Sequence, residues 1–95
     1  MLSAGKTVTV RIEGRVQGVY YRAWTEQTAR DLSLDGWVRN CRDGSVQAVF
    51  SGPASQVDEM LSRCAEGPPD ARVSSVLITD EGGAPPFGFR VLPTD

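Results

Sequence analysis

Residues 7–32 read TVTVRIEGRVQGVYYRAWTEQTARDL, and the spacing of their apolar side chains changes partway along. From Thr7 to Glu13, Val8, Val10 and Ile12 alternate with Thr7, Thr9, Arg11 and Glu13. That period of two predicts a half-buried strand. From Arg22 to Leu32 the period lengthens: Tyr21, Thr25, Thr28, Ala29 and Leu32 share one helical face, and Glu26, Gln27, Arg30 and Asp31 fall largely outside it. Glu26 and Arg30 stand four apart, a favourable ion-pair spacing on a helix. Between strand and helix lies a short connection with glycines at 14 and 18, so its backbone can approach another group closely.

The downstream sequence supplies the partners this unit needs. Gly36 opens a second strand, Trp37 to Cys41, and Asp43-Gly44 is a hairpin signal leading into a third, Ser45 to Ser51. Gly52-Pro53 breaks that strand and sets proline at the first turn of a second helix, on which Val57, Met60, Leu61 and Cys64 form one apolar stripe. Gly67-Pro68-Pro69 ends the helix, Val73 to Thr79 is a fourth strand, and Phe87 to Leu92 forms a short last one. The order is β-α-β-β-α-β plus a short β. Right-handed crossovers place both helices on one face of an antiparallel sheet, which is the ferredoxin-like α+β sandwich. That fold alone does not name a function.

Composition narrows the chemistry. The 95 residues fit one domain spanning 1–95, with Met1–Lys6 expected as a flexible N-terminus. No apolar run approaches the roughly 18 residues that cross a bilayer, and Met1 to Lys6 lacks the apolar segment of a secretory leader, so a soluble cytoplasmic monomer without membrane partners is expected. There is no histidine, which removes histidine triads and His/Cys zinc sites. Cys41 and Cys64 read as free thiols of a reducing compartment, with a bridge between them the lesser alternative. Net charge is −2, against general nucleic-acid binding, yet the chain is +2 up to Phe50 and −4 after it. If an anionic ligand binds, the first half is the place to look, though chance placement accounts for the same imbalance.

Two stretches carry candidate chemistry. In Gly14-Arg15-Val16-Gln17-Gly18-Val19-Tyr20-Tyr21-Arg22, a glycine-bearing loop runs into a helix N-terminus. There, unpaired N–H groups and the helix dipole suit phosphate, and Arg22 can add a forked guanidinium. A plain tight connection with a surface arginine accounts for the same residues equally well. In the second stretch, Gly36 to Gly52, Asn40 ends a strand just before the hairpin. Its amide either caps the turn or orients a water by donating and accepting together. Arg15, Arg39 and Arg42 either raise the potential nearby or are solvated charges. Trp24 and Trp37 read as packing residues or partly exposed aromatics rather than ligand stackers, and Asp58-Glu59 as acids at the start of the second helix.

Together these stretches resemble the acylphosphatase family. Gly-x-Val-Gln-Gly-Val-x-(aromatic)-Arg is met in full from Gly14 to Arg22. Gly-(aromatic)-Val-(basic)-Asn-x-x-x-Gly-x-Val, with a further glycine after five residues, is met from Gly36 to Gly52. The resemblance covers nearly the whole chain. It implies hydrolysis of the carboxyl–phosphate anhydride of small acyl phosphates without a metal or other cofactor. It also implies that the backbone N–H groups of Arg15, Val16, Gln17, Gly18, Val19 and Tyr20 hold the phosphate together with Arg22, and that Asn40 positions the attacking water. One departure is Ser33, where many members have glycine after the first helix; if φ is positive there, serine costs on the order of 1 kcal/mol.

The composition is compatible with such a reaction. A carboxylate leaves readily, its conjugate acid having a pKa of about 4, so no general acid is required, and phosphoryl transfer rests mainly on positioning and charge stabilisation. Two rivals remain at this point. A non-catalytic phosphate-binding module of the same fold would keep the cradle without turnover. An RNA-binding domain of this fold would need aromatics on the open sheet face, where the first strand offers Thr7, Thr9 and Arg11. Hydrolysis of benzoyl phosphate is expected to proceed at the same rate with and without EDTA; a large loss with chelator contradicts the metal-free scheme.

Overall fold

The computed structural model describes residues 5–95. Its elements are β1 (Gly5–Arg15), α1 (Tyr21–Asp31), β2 (Asp35–Asn40), β3 (Val46–Pro53), α2 (Ala54–Cys64), β4 (Arg72–Glu81) and β5 (Phe89–Val91). The sheet order is β4-β1-β3-β2-β5. β1 pairs antiparallel with β3 and β4, and β2 pairs antiparallel with β3. The short fifth strand joins parallel to β2, so the completed sheet is mixed. Among the described residues no helix is long and apolar enough to cross a membrane.

The alternation read from the sequence decides which face is covered. Val8, Val10 and Ile12 are fully buried beneath the helices, as are Val38 on β2 and Val46, Ala48 and Phe50 on β3. The α1 face is buried through Tyr21, Thr25, Thr28 and Ala29, and α2 through Val57, Met60 and Cys64, with Leu61 packed at the margin. Phe89 of β5 stacks on Phe50 with ring centroids 5.8 Å apart, which anchors a strand too short to hold by its ladder alone. Trp24 packs against Tyr21 at 5.3 Å. Trp37 lies under the Arg39 guanidinium at 5.0 Å, and Arg39 also donates to Gln47 Oε1, so Arg39 is tied up with these neighbours.

Several expectations are corrected. Of the segment expected to be flexible, residues 1–4 lie outside the described residues, whereas Gly5 and Lys6 are already in β1, opposite Pro53 and Gly52. Pro53 is the N-cap of α2 as well as the last residue of β3. Asp58 and Glu59 sit beyond the first turn of α2, which holds no acid; Asp58 pairs with Lys6 at 2.9 Å and Glu59 with Arg63 at 2.9 Å. Both cysteines are free, as expected from the sequence, Cys64 buried and Cys41 half-buried.

The end of α1 is a Schellman turn: Ser33 N–H donates to Arg30 C=O at 3.0 Å and Leu34 N–H to Ala29 C=O at 2.9 Å. It requires a left-handed residue, and Ser33 takes φ 57°. The turn drives Leu34 back into the core, where it is buried. Ser33→Gly should raise the unfolding free energy by about 0.5–1 kcal/mol, read from urea denaturation; a loss of stability contradicts this account of the turn.

Tyr21 and Cys64 lock the two helices together. The Tyr21 hydroxyl donates to the Cys64 carbonyl at 2.7 Å in a buried contact. Burial pushes the Cys64 thiol up to about 12 and raises the Tyr21 phenol as well. An unfolded thiol ionises near about pH 8.5, so above that pH the unfolded chain sheds its proton first. Stability from this group is therefore full below about pH 8.5 and falls as pH rises toward the folded value. The urea midpoint should decline between about pH 8 and 11, and Cys64→Ala should decline less steeply over that window; equal slopes would assign the alkaline loss elsewhere.

Candidate active site

The register of β1 sets where the loop begins. Between Glu13 and Gly14 the pairing with β4 shifts by a bulge. Gly14 has φ 122°, and a Cβ there would lie 2.1 Å from the Arg72 carbonyl oxygen, so only glycine fits. The chain then leaves the sheet at Arg15, with Val16 and Val19 buried as two pegs. The segment between and beyond the pegs is bent by positive φ at Gly18 (73°) and at Tyr20 (64°), whereas Gln17, Val19 and Tyr21 keep negative φ. That alternation of sign turns successive N–H groups toward one side, the geometry of an anion nest. A tyrosine in the left-handed region is uncommon, and such strain concentrates at functional positions.

The hydrogen-bond account of this segment is unusual. Among the described residues, no backbone or side-chain acceptor receives the N–H groups of residues 16–20. The first N–H of α1 with a partner is Trp24, donating to Tyr20 C=O at 3.0 Å. Tyr20, the N-cap of α1, makes no side-chain cap bond, and no acid stands in the first turn. Among the described residues the N–H groups from Val16 to Ala23 have no protein acceptor, and they stand at the positive end of a helix dipole, an arrangement that can receive an anion.

Side chains complete it. Val16, Gln17, Gly18, Tyr20, Tyr21, Arg22, Ala23, Glu26, Asn40 and Val91 line one pocket of about 530 Å³. Arg22 is half-buried and has no ion pair or hydrogen bond among the described residues. Its helical neighbour Glu26, four residues on, would neutralise it, but Glu26 is engaged by Arg30 at 3.1 Å. Arg30 is itself fixed by donating to the Phe89 carbonyl at 3.1 Å. Asn40 enters from the end of β2, on the helix-covered side two residues beyond the buried Val38. Its backbone is held opposite Val46 on β3, and its carbonyl accepts the Asp95 N–H at 3.0 Å.

The structure thus brings Val16, Gln17, Gly18, Tyr20, Arg22 and Asn40 to one pocket, whereas Arg15 is an exposed residue at the end of β1 and the Val19 side chain points into the core. Arg39 and Arg42 lie off the pocket wall. Sequence reasoning missed Tyr21, Ala23, Glu26 and Val91. Glu26 follows Arg22 at helical spacing and could have been found from it, whereas Ala23 directly follows Arg22 in the chain. Val91 arrives through the parallel β2–β5 pairing, for which the sequence offers no signal.

Comparison with known proteins agrees with this geometry. The acylphosphatase family model matches residues 8–91. An acylphosphatase of Rhizorhabdus wittichii is 51% identical, with 90% of this chain and 86% of the relative aligned. One of Natronomonas pharaonis is 58% identical over 85% of this chain and 90% of its own. The solved structure of an acylphosphatase from Coxiella burnetii superposes with a TM-score of 0.87 at 34% identity, covering 93% of each chain. Site geometry, family match and fold converge: the chain belongs to the acylphosphatase family of hydrolases.

Proposed function

We propose that this pocket hydrolyses the carboxyl–phosphate anhydride of small acyl phosphates, with the phosphoryl group gripped by the Arg15–Tyr20 loop and Arg22 and the attacking water aimed by Asn40. The observation that carries this assignment of roles is the run of unpaired N–H groups beside an unpaired guanidinium, with Asn40 in the same pocket. In the reaction a water oxygen attacks phosphorus, and the bond from phosphorus to the carboxylate oxygen breaks. The carboxylate departs with the electron pair, and the water's proton passes to a phosphate oxygen. The N–H groups and Arg22 face the equatorial oxygens where charge is spread in the transition state. Asn40 is no base at neutral pH; its amide accepts from the water through Oδ1 and donates through Nδ2, which fixes direction only. The protein acts as a monomer of the cytoplasm, in one domain.

Arg22→Ala should lower turnover of benzoyl phosphate at least about a hundredfold and weaken inorganic phosphate as an inhibitor. Arg22→Lys should recover little, since one ammonium cannot reproduce the fork. Asn40→Ala should lower turnover comparably while phosphate inhibition stays within about twofold. Wild-type turnover in both alanine variants contradicts these roles.

A further inference from the structure

The two halves of the pocket come from distant parts of the chain, the cradle from the β1–α1 loop and Asn40 from the end of β2. One side chain ties them directly. The Gln17 amide nitrogen donates to the Cys41 carbonyl at 2.8 Å and to the Ser45 carbonyl at 2.8 Å, contacts 24 and 28 residues away in sequence. A carboxamide nitrogen has two hydrogens, and here each meets a carbonyl; no other orientation of the amide satisfies both. Those carbonyls are the neck of the β2–β3 hairpin. Cys41 N–H donates to Ser45 C=O at 2.9 Å, and Gly44 N–H to Cys41 C=O at 3.1 Å. Cys41 directly follows Asn40.

We infer that Gln17 is a positioning residue for the hydrolytic step: its side chain clamps the phosphate cradle to the hairpin neck and so sets the distance and angle between the bound phosphorus and the Asn40 amide. The inference rests on the roles proposed above for Arg22 and Asn40. Beyond the sheet pairing that β1 and β2 share through Val46 of β3, its physical basis is that this side chain reaches from the loop itself to the hairpin neck. The loop is bent at Gly18 and strained at Tyr20, so its position depends on the contacts that anchor it. Asn40 is the last residue of its strand, where ladder restraint is weakest. Two bonds from a single amide remove the relative motion of the two, and a displacement of about 1 Å in such a site can cost on the order of a hundredfold in rate. The clamp makes no claim on phosphate affinity, which stays with the N–H groups and Arg22.

A double-mutant cycle on the full chain tests it, with benzoyl phosphate as substrate and inorganic phosphate as inhibitor. Gln17→Met, which keeps the length and removes both donors, should lower kcat roughly tenfold to a hundredfold with KM and phosphate inhibition within about twofold. In an Asn40→Ala background the same change should alter kcat less than about twofold, because the residue it aims is gone. Gln17→Asn, which retains the amide but is one methylene short, should behave as Gln17→Met and serves if the latter folds poorly. Equal losses in both backgrounds, or unchanged kcat in the single variant, overturn the clamp and leave the roles of Arg22 and Asn40 standing. Wild-type turnover in Asn40→Ala alone overturns those roles and the clamp with them.

Discussion

Among the described residues, the turn from β1 into α1 holds a run of peptide N–H groups with no protein acceptor, pointing away from the helix they lead into. The surrounding structure enforces that condition. The bulge at Gly14 directs the chain out of the sheet, Val16 and Val19 fix it to the core, and the buried Tyr21 hydroxyl ties the start of α1 to the end of α2. With those anchors in place the peptide planes between them cannot rotate away, and the left-handed conformations at Gly18 and Tyr20 persist. The donors are thus held in place, the condition under which fixed N–H groups can stabilise a developing negative charge.

The charged residues are arranged so that this potential is not cancelled. Four of the ion pairs join an arginine to a carboxylate: Arg11 with Glu13 and with Asp43, Arg30 with Glu26, and Arg63 with Glu59. These contribute little to stability individually. Their consequence at the site is selective: Glu26, the acid nearest in sequence to Arg22, is occupied by Arg30. Asp43 in the hairpin is engaged by the Ser45 hydroxyl and N–H and by Arg11, which holds its carboxyl below the usual carboxylate range and turns its charge into the hairpin.

Much of this was legible in the chain. The period-two run through Val8, Val10 and Ile12 and the helical run through Tyr21, Thr25 and Ala29 fixed the buried faces, because each pattern has one geometry that hides its apolar side. Element ends were less legible: β1 extends to Gly5 and Arg15, since pairing with Pro53 and Arg72 continues past the alternating core residues. The left-handed position at Ser33 was foreseen as a possibility, and the Schellman bonds give it physical form. The proposed phosphate role of the turn between β1 and α1 rested on the family resemblance, whereas a glycine-bearing turn at that point was readable from the sequence. The left-handed Tyr20, the Glu26 wall and the approach of Val91 were not, because they depend on tertiary closure by β5 and on side-chain pairing.

The central claim, that main-chain donors from Val16 to Ala23 and the Arg22 guanidinium together bind a phosphate, is most directly tested by titrating inorganic phosphate into isotope-labelled protein and following backbone amide resonances. The account predicts saturable shifts concentrated on residues 16–23, strongly weakened in Arg22→Ala. Shifts centred on another surface, or a loop whose amides do not respond at saturating phosphate, would contradict it.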